Sequence, residues 1–261
     1  MDLGTLIGLI AGVIFITLAM LNSGAGLGIF VDPFAFIQVI GGSFAAIMVS
    51  NPLSRVMGMV TFLQQTIRMP NWEEERIISS LVNFSEKARR EGLLALEDDM
   101  EEVEDLFLRK GIQLVVDGSD PEIIKSILYT ELNKIQERHE SGIKLFEDWG
   151  KLAPAFGMIG TLIGLIAMMV NLGGDKSAIG RGMGLALITT MYGSILANLA
   201  LIPIKNKLED RDKSETLVKE IMVEGILSIQ SGDNPRILEE KLLSYLPPDR
   251  REAVRQEAAR E

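Results

Sequence analysis

Cysteine is absent from the chain, and histidine occurs once, at His139. The first absence excludes a disulfide framework and any cysteine-based metal site, and the single histidine, in the charged run QERHESG, reads as part of a solvated helix face. No stretch shows the period-two alternation of a strand, and no glycine-rich loop of the phosphate-cradling kind is present. Most telling is where charge is missing: Leu3–Leu21, Pro33–Ser54, Leu152–Gly174 and Gly182–Ile204 contain no Lys, Arg, Asp, Glu or His. An ion-carrying membrane protein ordinarily keeps an ionisable group at depth. Either the chain forms no ion path, or another polypeptide supplies the titrating group and this one supplies the wall.

What is present is segregated. Of 261 residues, 47% are hydrophobic and 24% charged, with a net charge of −10. Each uncharged block is close to the ~20 residues a helix needs to cross ~30 Å of hydrocarbon, so four transmembrane helices are expected. The first block lacks a basic stretch ahead of it and reads as a retained span, not a cleaved leader. Lys and Arg are absent from 22–32 and number only Lys176 and Arg181 in 175–181, whereas Arg55, Arg68, Lys134, Arg138, Lys144 and Lys151, then Lys205, Lys207, Arg211, Lys213 and Lys219, flank the other ends. The positive-inside rule then places both termini, 55–151 and the tail from 205 in the cytoplasm. The organisation is 1–54 (spans one and two), 55–151 (a cytoplasmic domain), 152–204 (spans three and four) and 205–261 (a cytoplasmic tail).

The soluble segments carry helical patterns. WEEERIISSLVNFSEKARRE spaces Ile77, Ile78, Leu81, Val82 and Phe84 for one helix face, with acids in the first turn, and Gly92 interrupts it. DDMEEVEDLFLRKGIQLVV repeats the pattern as a second helix. A third opens with Asp120 as N-cap and Pro121 at the first helical position and runs towards span three. The tail offers a helix after Pro203, a break at SGDNP, a short helix at RILEEKLLSYL and a polar end. The fold class is an all-α integral membrane protein.

In span three, Pro154 and Thr161 are seven apart and share a face with Gly157, Gly160, Gly164 and Met168. In span four, Gly182, Ala186, Thr189, Gly193, Leu196 and Pro203 follow the same spacing. Small residues admit a second helix closely and hydroxyls can bond to it. The same pattern serves ordinary bundle packing, and a membrane threonine often bonds the carbonyl four residues back. Pro154 and Pro203 mark span boundaries or, by freeing backbone carbonyls, hinges. The heptapeptide GTLIGLI occurs at both Gly4–Ile10 and Gly160–Ile166. Thr5 lies at a membrane edge and Thr161 at depth, so membrane composition accounts for the repeat and Thr161 is the functional candidate.

APAFGMIGTLIGLI (153–166), MGLALITTMYGSILAN (183–198) and IPIKNKL (202–208) resemble the MotA/PomA stator subunits of the bacterial flagellar motor, relatives of TolQ and ExbB. The likeness covers the whole four-span layout, whereas TolQ and ExbB have three spans. It implies an inner-membrane protein, not an enzyme, and five copies surrounding a MotB/PomB-type single-span partner whose aspartate takes H⁺ or Na⁺. No cofactor, metal site or nucleic-acid partner is implied. Thr161 and Thr189 would line the ion path, Pro154 and Pro203 would couple it to movement, and Gly157, Gly160, Gly164, Ala186 and Gly193 would pack against the partner helix. KARREGLLALEDDM (87–100) is similar to the family's surface for the rotor protein FliG, with Arg89 and Glu97 in the contacting positions and Arg90, Asp98 and Asp99 beside them. By composition alone that run is a solvated charged face. Hydroxyls at both threonine positions incline the resemblance to Na⁺, but proton-driven members also keep threonine, so the ion stays open. An energiser of the TolQ/ExbB kind serving another system, and a non-conducting membrane scaffold, are the competing readings.

Overall fold

The structure is a computed structural model describing residues 3–67, 74–172 and 176–251. Arg68, Trp72, the Gly173–Gly174 end of the expected third span and the polar stretch from Glu252 onward lie outside the described residues. Every regular element among the described residues is helical. They divide between two compact units, one drawn from 1–69 and 139–210, the other from 70–138 and 211–261.

The first unit holds the apolar helices. α1 is Leu3–Asn22. Span two opens with a 3-10 turn at Leu27–Phe30, after which the Asp32 carboxylate accepts from the Phe34 and Ala35 N–H groups and Pro33 takes the first position of α2 (Pro33–Phe36). A π-helical stretch, Ile37–Gly41, joins it to α3 (Gly42–Ser50). Short α4 (Leu53–Met57) and α5 (Met59–Ile67) follow. Four helices are long and apolar enough to cross a membrane: Leu3–Asn22, Leu27–Ser50, Pro121–Val170 and Lys176–Ser231. Ile47, Leu145, Phe146, Ala153, Ala197 and Leu201 form this unit's core. Beside it the Trp149 indole donates 3.0 Å to the Ser43 hydroxyl, and Ser43 donates to the Ile40 carbonyl, so both of these polar groups are partnered.

The second unit begins with α6 (Glu74–Glu91), whose Ile78 and Leu81 face inward. Gly92, at φ +91°, takes a conformation that a β-carbon disfavours and turns the chain into two 3-10 turns, Leu93–Leu96 and Asp98–Glu102. The sequence pattern expects one helix across 98–116. Instead the helix α7 is Leu106–Val116, because Asp105 caps its Phe107 and Leu108 N–H groups. The acids ahead of it, Glu97 to Glu104, crowd like charge that a helix would stack at adjacent turns.

α8 runs unbroken from Pro121 to Val170, capped at its start by Asp120, whose carboxylate accepts from the Glu122 N–H at 2.9 Å. His139 is half-buried on it. α9 (Lys176–Ile195) passes through a second π-helical stretch, Leu196–Leu201, into α10 (Ile202–Ser231). Pro203 therefore lies inside a helical run and does not open a new one. It has no N–H for the Leu199 carbonyl, and the wider π turn just before it absorbs the mismatch. Gly232, at φ +73°, ends α10, and Asn234 with Pro235 starts α11 (Pro235–Leu243). Ile112, Leu128, Ile221, Met222, Ile226, Leu238 and Leu242 complete the second core.

Candidate functional site

Backbone proximity fixes the geometry between α8 and α9. A β-carbon added at Gly157 would sit 2.9 Å from the Thr189 carbonyl oxygen, one at Gly182 would sit 2.7 Å from the Gly164 carbonyl, and one at Gly193 would sit 2.6 Å from the Ala153 carbonyl. Gly160 lies directly against the Thr189 side chain, and Gly164 against Gly182 and Ala186. The small-residue face expected to admit a partner's helix is thus filled from within the chain. Each span's stripe of small residues is matched to the other's.

Thr189 belongs to this packed seam. It is fully buried, and its hydroxyl donates to the Leu185 or Ala186 carbonyl at 3.0 and 3.1 Å. The hydroxyl that joins Thr161 is that of Thr190, which the sequence reading did not single out. Thr161 lies within hydrogen-bond distance of Thr190, and both reach the Ala186 carbonyl, at 3.0 and 3.1 Å. Thr161 also reaches the Gly157 carbonyl at 3.2 Å. Thr161 is half-buried and Thr190 exposed. Each hydroxyl has one proton and two lone pairs, so with one proton directed at the carbonyl and the other at the neighbouring hydroxyl, oxygen lone pairs are left for a group outside the chain. That arrangement can accept from a protonated carboxyl or add ligands to a hard cation.

A signal for Thr190 was available. Gly182, Ala186 and Gly193 mark the face of α9 that meets a close neighbour, so the threonine on that stripe is the buried one. The exposed face runs through Met183, Leu187 and Thr190.

Each proline lies at or within a turn of a contact between the two helices. Pro154 leaves the Gly150 carbonyl without an N–H from within the helix, and a β-carbon at Gly150 would meet Ile202, the residue before Pro203, at 3.3 Å. Gly193 also packs on Pro154. α8 nonetheless continues through Pro154.

The second candidate surface lies in the other unit. Arg89 and Arg90 close the last turn of α6, where the helix dipole favours cations. Glu97 joins the two 3-10 turns and Asp98 opens the second, while Leu93–Leu96 packs back on α6. All four are exposed. Half-buried Asp99 pairs instead with Lys87, at 2.7 Å. Next to them is a groove of about 770 Å³ lined by Arg76, Lys87 and Arg90 on α6 and by Asp99, Glu104 and Asp105 across it.

Comparison with known proteins decides the class. The chain is 50% identical over 248 residues to Motility protein A of Borreliella burgdorferi, covering 95% of each, and 39% identical to the chemotaxis protein PomA of Vibrio alginolyticus, covering 96% of this chain and 98% of that one. Residues 99–221 match the model of the MotA/TolQ/ExbB proton channel family. The chain belongs to that family. Within it, the flagellar MotAB stator complex from Bacillus subtilis contains a chain that superposes with a TM-score of 0.87 at 32% identity, covering 94% of this chain and 96% of that one. The C. jejuni MotAB structure gives 0.85 at 27% identity. Family membership, full-length likeness to motility proteins and the match to stator structures establish a membrane protein with the function of a flagellar stator subunit.

Proposed function

We propose that this chain assembles, as five copies around a MotB/PomB-type partner, into an ion channel that couples H⁺ or Na⁺ flow to torque. The partner's single span brings the titrating aspartate, and the exposed Thr161–Thr190 hydroxyl pair is the surface it meets. One observation carries this reading: the blocks Leu3–Leu21, Pro33–Ser54, Leu152–Gly174 and Gly182–Ile204 hold no Lys, Arg, Asp, Glu or His, yet spans three and four present two hydroxyls beside a shared carbonyl. Thr189 is assigned to packing, and Thr161 with Thr190 to the path.

Neutralising a carboxylate at low dielectric changes its preferred neighbours by several kcal/mol, about what is needed to bias a two-state assembly. Pro154 and Pro203 are the points at which such a bias bends the helices. Arg89 and Glu97, with Arg90 and Asp98, then act on FliG. Both termini lie in the cytoplasm, as the Lys and Arg distribution favours.

The test is ion flux and swimming with the partner co-expressed. Thr161→Ala and Thr190→Ala are expected to lower flux at least tenfold with normal membrane abundance, while Thr190→Ser retains it. Unchanged flux in Thr190→Ala removes the lining role, and a wild-type complex that conducts neither ion leaves a scaffold. Varying Na⁺ at constant pH identifies the coupling ion.

A further inference from the structure

Arg89, Arg90, Glu97 and Asp98 form no ion pair or side-chain hydrogen bond among the described residues, whereas Lys87 and Asp99, which flank them in sequence, are committed to each other. Free and paired charges on one surface invite different roles. The segment carrying Glu97 and Asp98 consists of two 3-10 turns, whose hydrogen-bond geometry is poorer than that of an α-helix. Its apolar anchors are few: Leu96 is fully buried and Leu93 and Met100 partly, with Val103 nearly buried just beyond its end. Between Leu96 and Met100 the Asp99 carboxylate is the side chain that reaches back, and it meets Lys87 one helical turn before Arg90.

We propose that the Lys87–Asp99 ion pair is a positioning latch: it holds the Leu93–Glu102 strap on α6 and so sets how the Arg89/Arg90 cations and Glu97/Asp98 carboxylates face the rotor. Lys87 and Asp99 do not touch the rotor themselves. The inference rests on the rotor-contact reading above.

The pair is wet, with side chains 24% and 32% exposed, so it adds little to global stability. A strap with few buried anchors opens locally at far lower cost than the fold does, and there a small coupling changes the populations. The hydrogen bond to Asp99 holds the Lys87 ammonium pKa above its ordinary value despite the opposing effect of burial.

Amide hydrogen exchange on the complex of this chain with its single-span partner tests the latch. K87M and D99N are each expected to speed exchange across 93–102 by about two- to fivefold, the range a coupling of this kind allows, with α7 unchanged. Both should slow swimming under load, and the swap K87E/D99K should restore protection and speed together. Unaltered exchange in the single variants overturns the proposal. So does a swap that fails while a charge change on the rotor protein rescues K87E, because Lys87 would then be a direct contact. Normal torque in both R89E and E97K removes the rotor reading itself, and the presentation role with it, whatever the exchange shows.

Discussion

The α8–α9 seam of the first unit and the core of the second solve the same packing problem with opposite materials. In the first, α8 and α9 meet through Gly157, Gly160, Gly164, Gly182 and Gly193, where added β-carbons would strike backbone or a fixed side chain. In the second, Ile78, Leu81, Ile112, Leu128, Ile221, Met222 and Ile226 fill a core of large aliphatics. The difference follows from the solvent. Where lipid is as apolar as leucine, large side chains gain nothing by meeting, and backbone approach with van der Waals contact supplies the association. Where water surrounds the helices, burying large apolar area is the dominant gain, about 25 cal/mol per Å². Buried charge follows the same division: the second unit holds Lys219, 6% exposed, against Asp105 at 2.7 Å and 5.1 Å from the centre of the Phe107 ring.

That buried pair gives the largest expected effect. Asp105→Ala removes the partner of an enclosed ammonium and the cap of α7 at once, and should cost on the order of 3–5 kcal/mol, read as a lowered midpoint for unfolding of the second unit. Lys219→Met should cost less, because the Asp105 carboxylate it strands is 30% exposed and water can reach it. Burial pushes the Asp105 pKa up, but the Lys219 hydrogen bond and the Leu108 and Phe107 N–H groups outweigh it, so the net shift is downward. With the folded value depressed, the stabilisation is fully present above the ordinary carboxylate range near pH ~4 and is lost as pH falls through the folded value. The acid-side loss of stability should therefore be shallower in Asp105→Ala than in the wild type. Equal costs for the two substitutions would mean that the pair is not the buried element the contrast requires.

Next in size is the glycine seam. Gly164→Ala places a methyl against the Gly182 carbonyl and Ala186, where neither backbone can yield, and should destabilise by about 1–3 kcal/mol. Gly8, in α1, has nothing within 4 Å of an added β-carbon. There alanine gains helix propensity, roughly 0.5–1 kcal/mol, so Gly8→Ala should raise the melting temperature of the purified protein slightly. Opposite signs at two glycines of the same repeated heptapeptide register would separate seam from surface; equal signs would make small residues a generic membrane trait.

The heptad register found the stripe on each span but left two uses for it, a face for a partner's helix and ordinary packing within the bundle. Absence of charge marks the spans unambiguously, because a membrane core penalises every ionisable group. Which side of a span meets its neighbour is set by tertiary approach, and residues one apart differ by about 100° around the axis, so Thr189 points into the seam and Thr190 away from it. The π-helical stretches at Ile37–Gly41 and Leu196–Leu201 add further rotation that no regular spacing anticipates. Likewise the acid-rich run before α7 fits a helical pattern of apolar positions, yet Asp105 serves better as a cap than as an interior residue. Propensity and periodicity identify which residues are inward-facing; the competition between a cap and one more turn is decided locally.

The smallest expected effect concerns the boundary between the two solvents. Glu147 and Lys151 stand one turn apart on α8, with the acid N-terminal to the base, the favoured orientation, and their charged atoms are 2.5 Å apart. The hydrogen bond to Lys151 lowers the Glu147 pKa, and the reciprocal bond raises that of Lys151. Both side chains are well exposed, at 41% and 68%, so water already solvates them in the unfolded helix nearly as well and salt screens what remains. Glu147→Gln should leave the melting temperature unchanged within scatter, at low and at high salt alike. A loss as large as that of Gly164→Ala would show that this turn behaves as membrane interior, with the pair desolvated as Lys219 and Asp105 are. The boundary of the glycine-packed region would then have to be drawn a turn earlier on α8, before Glu147.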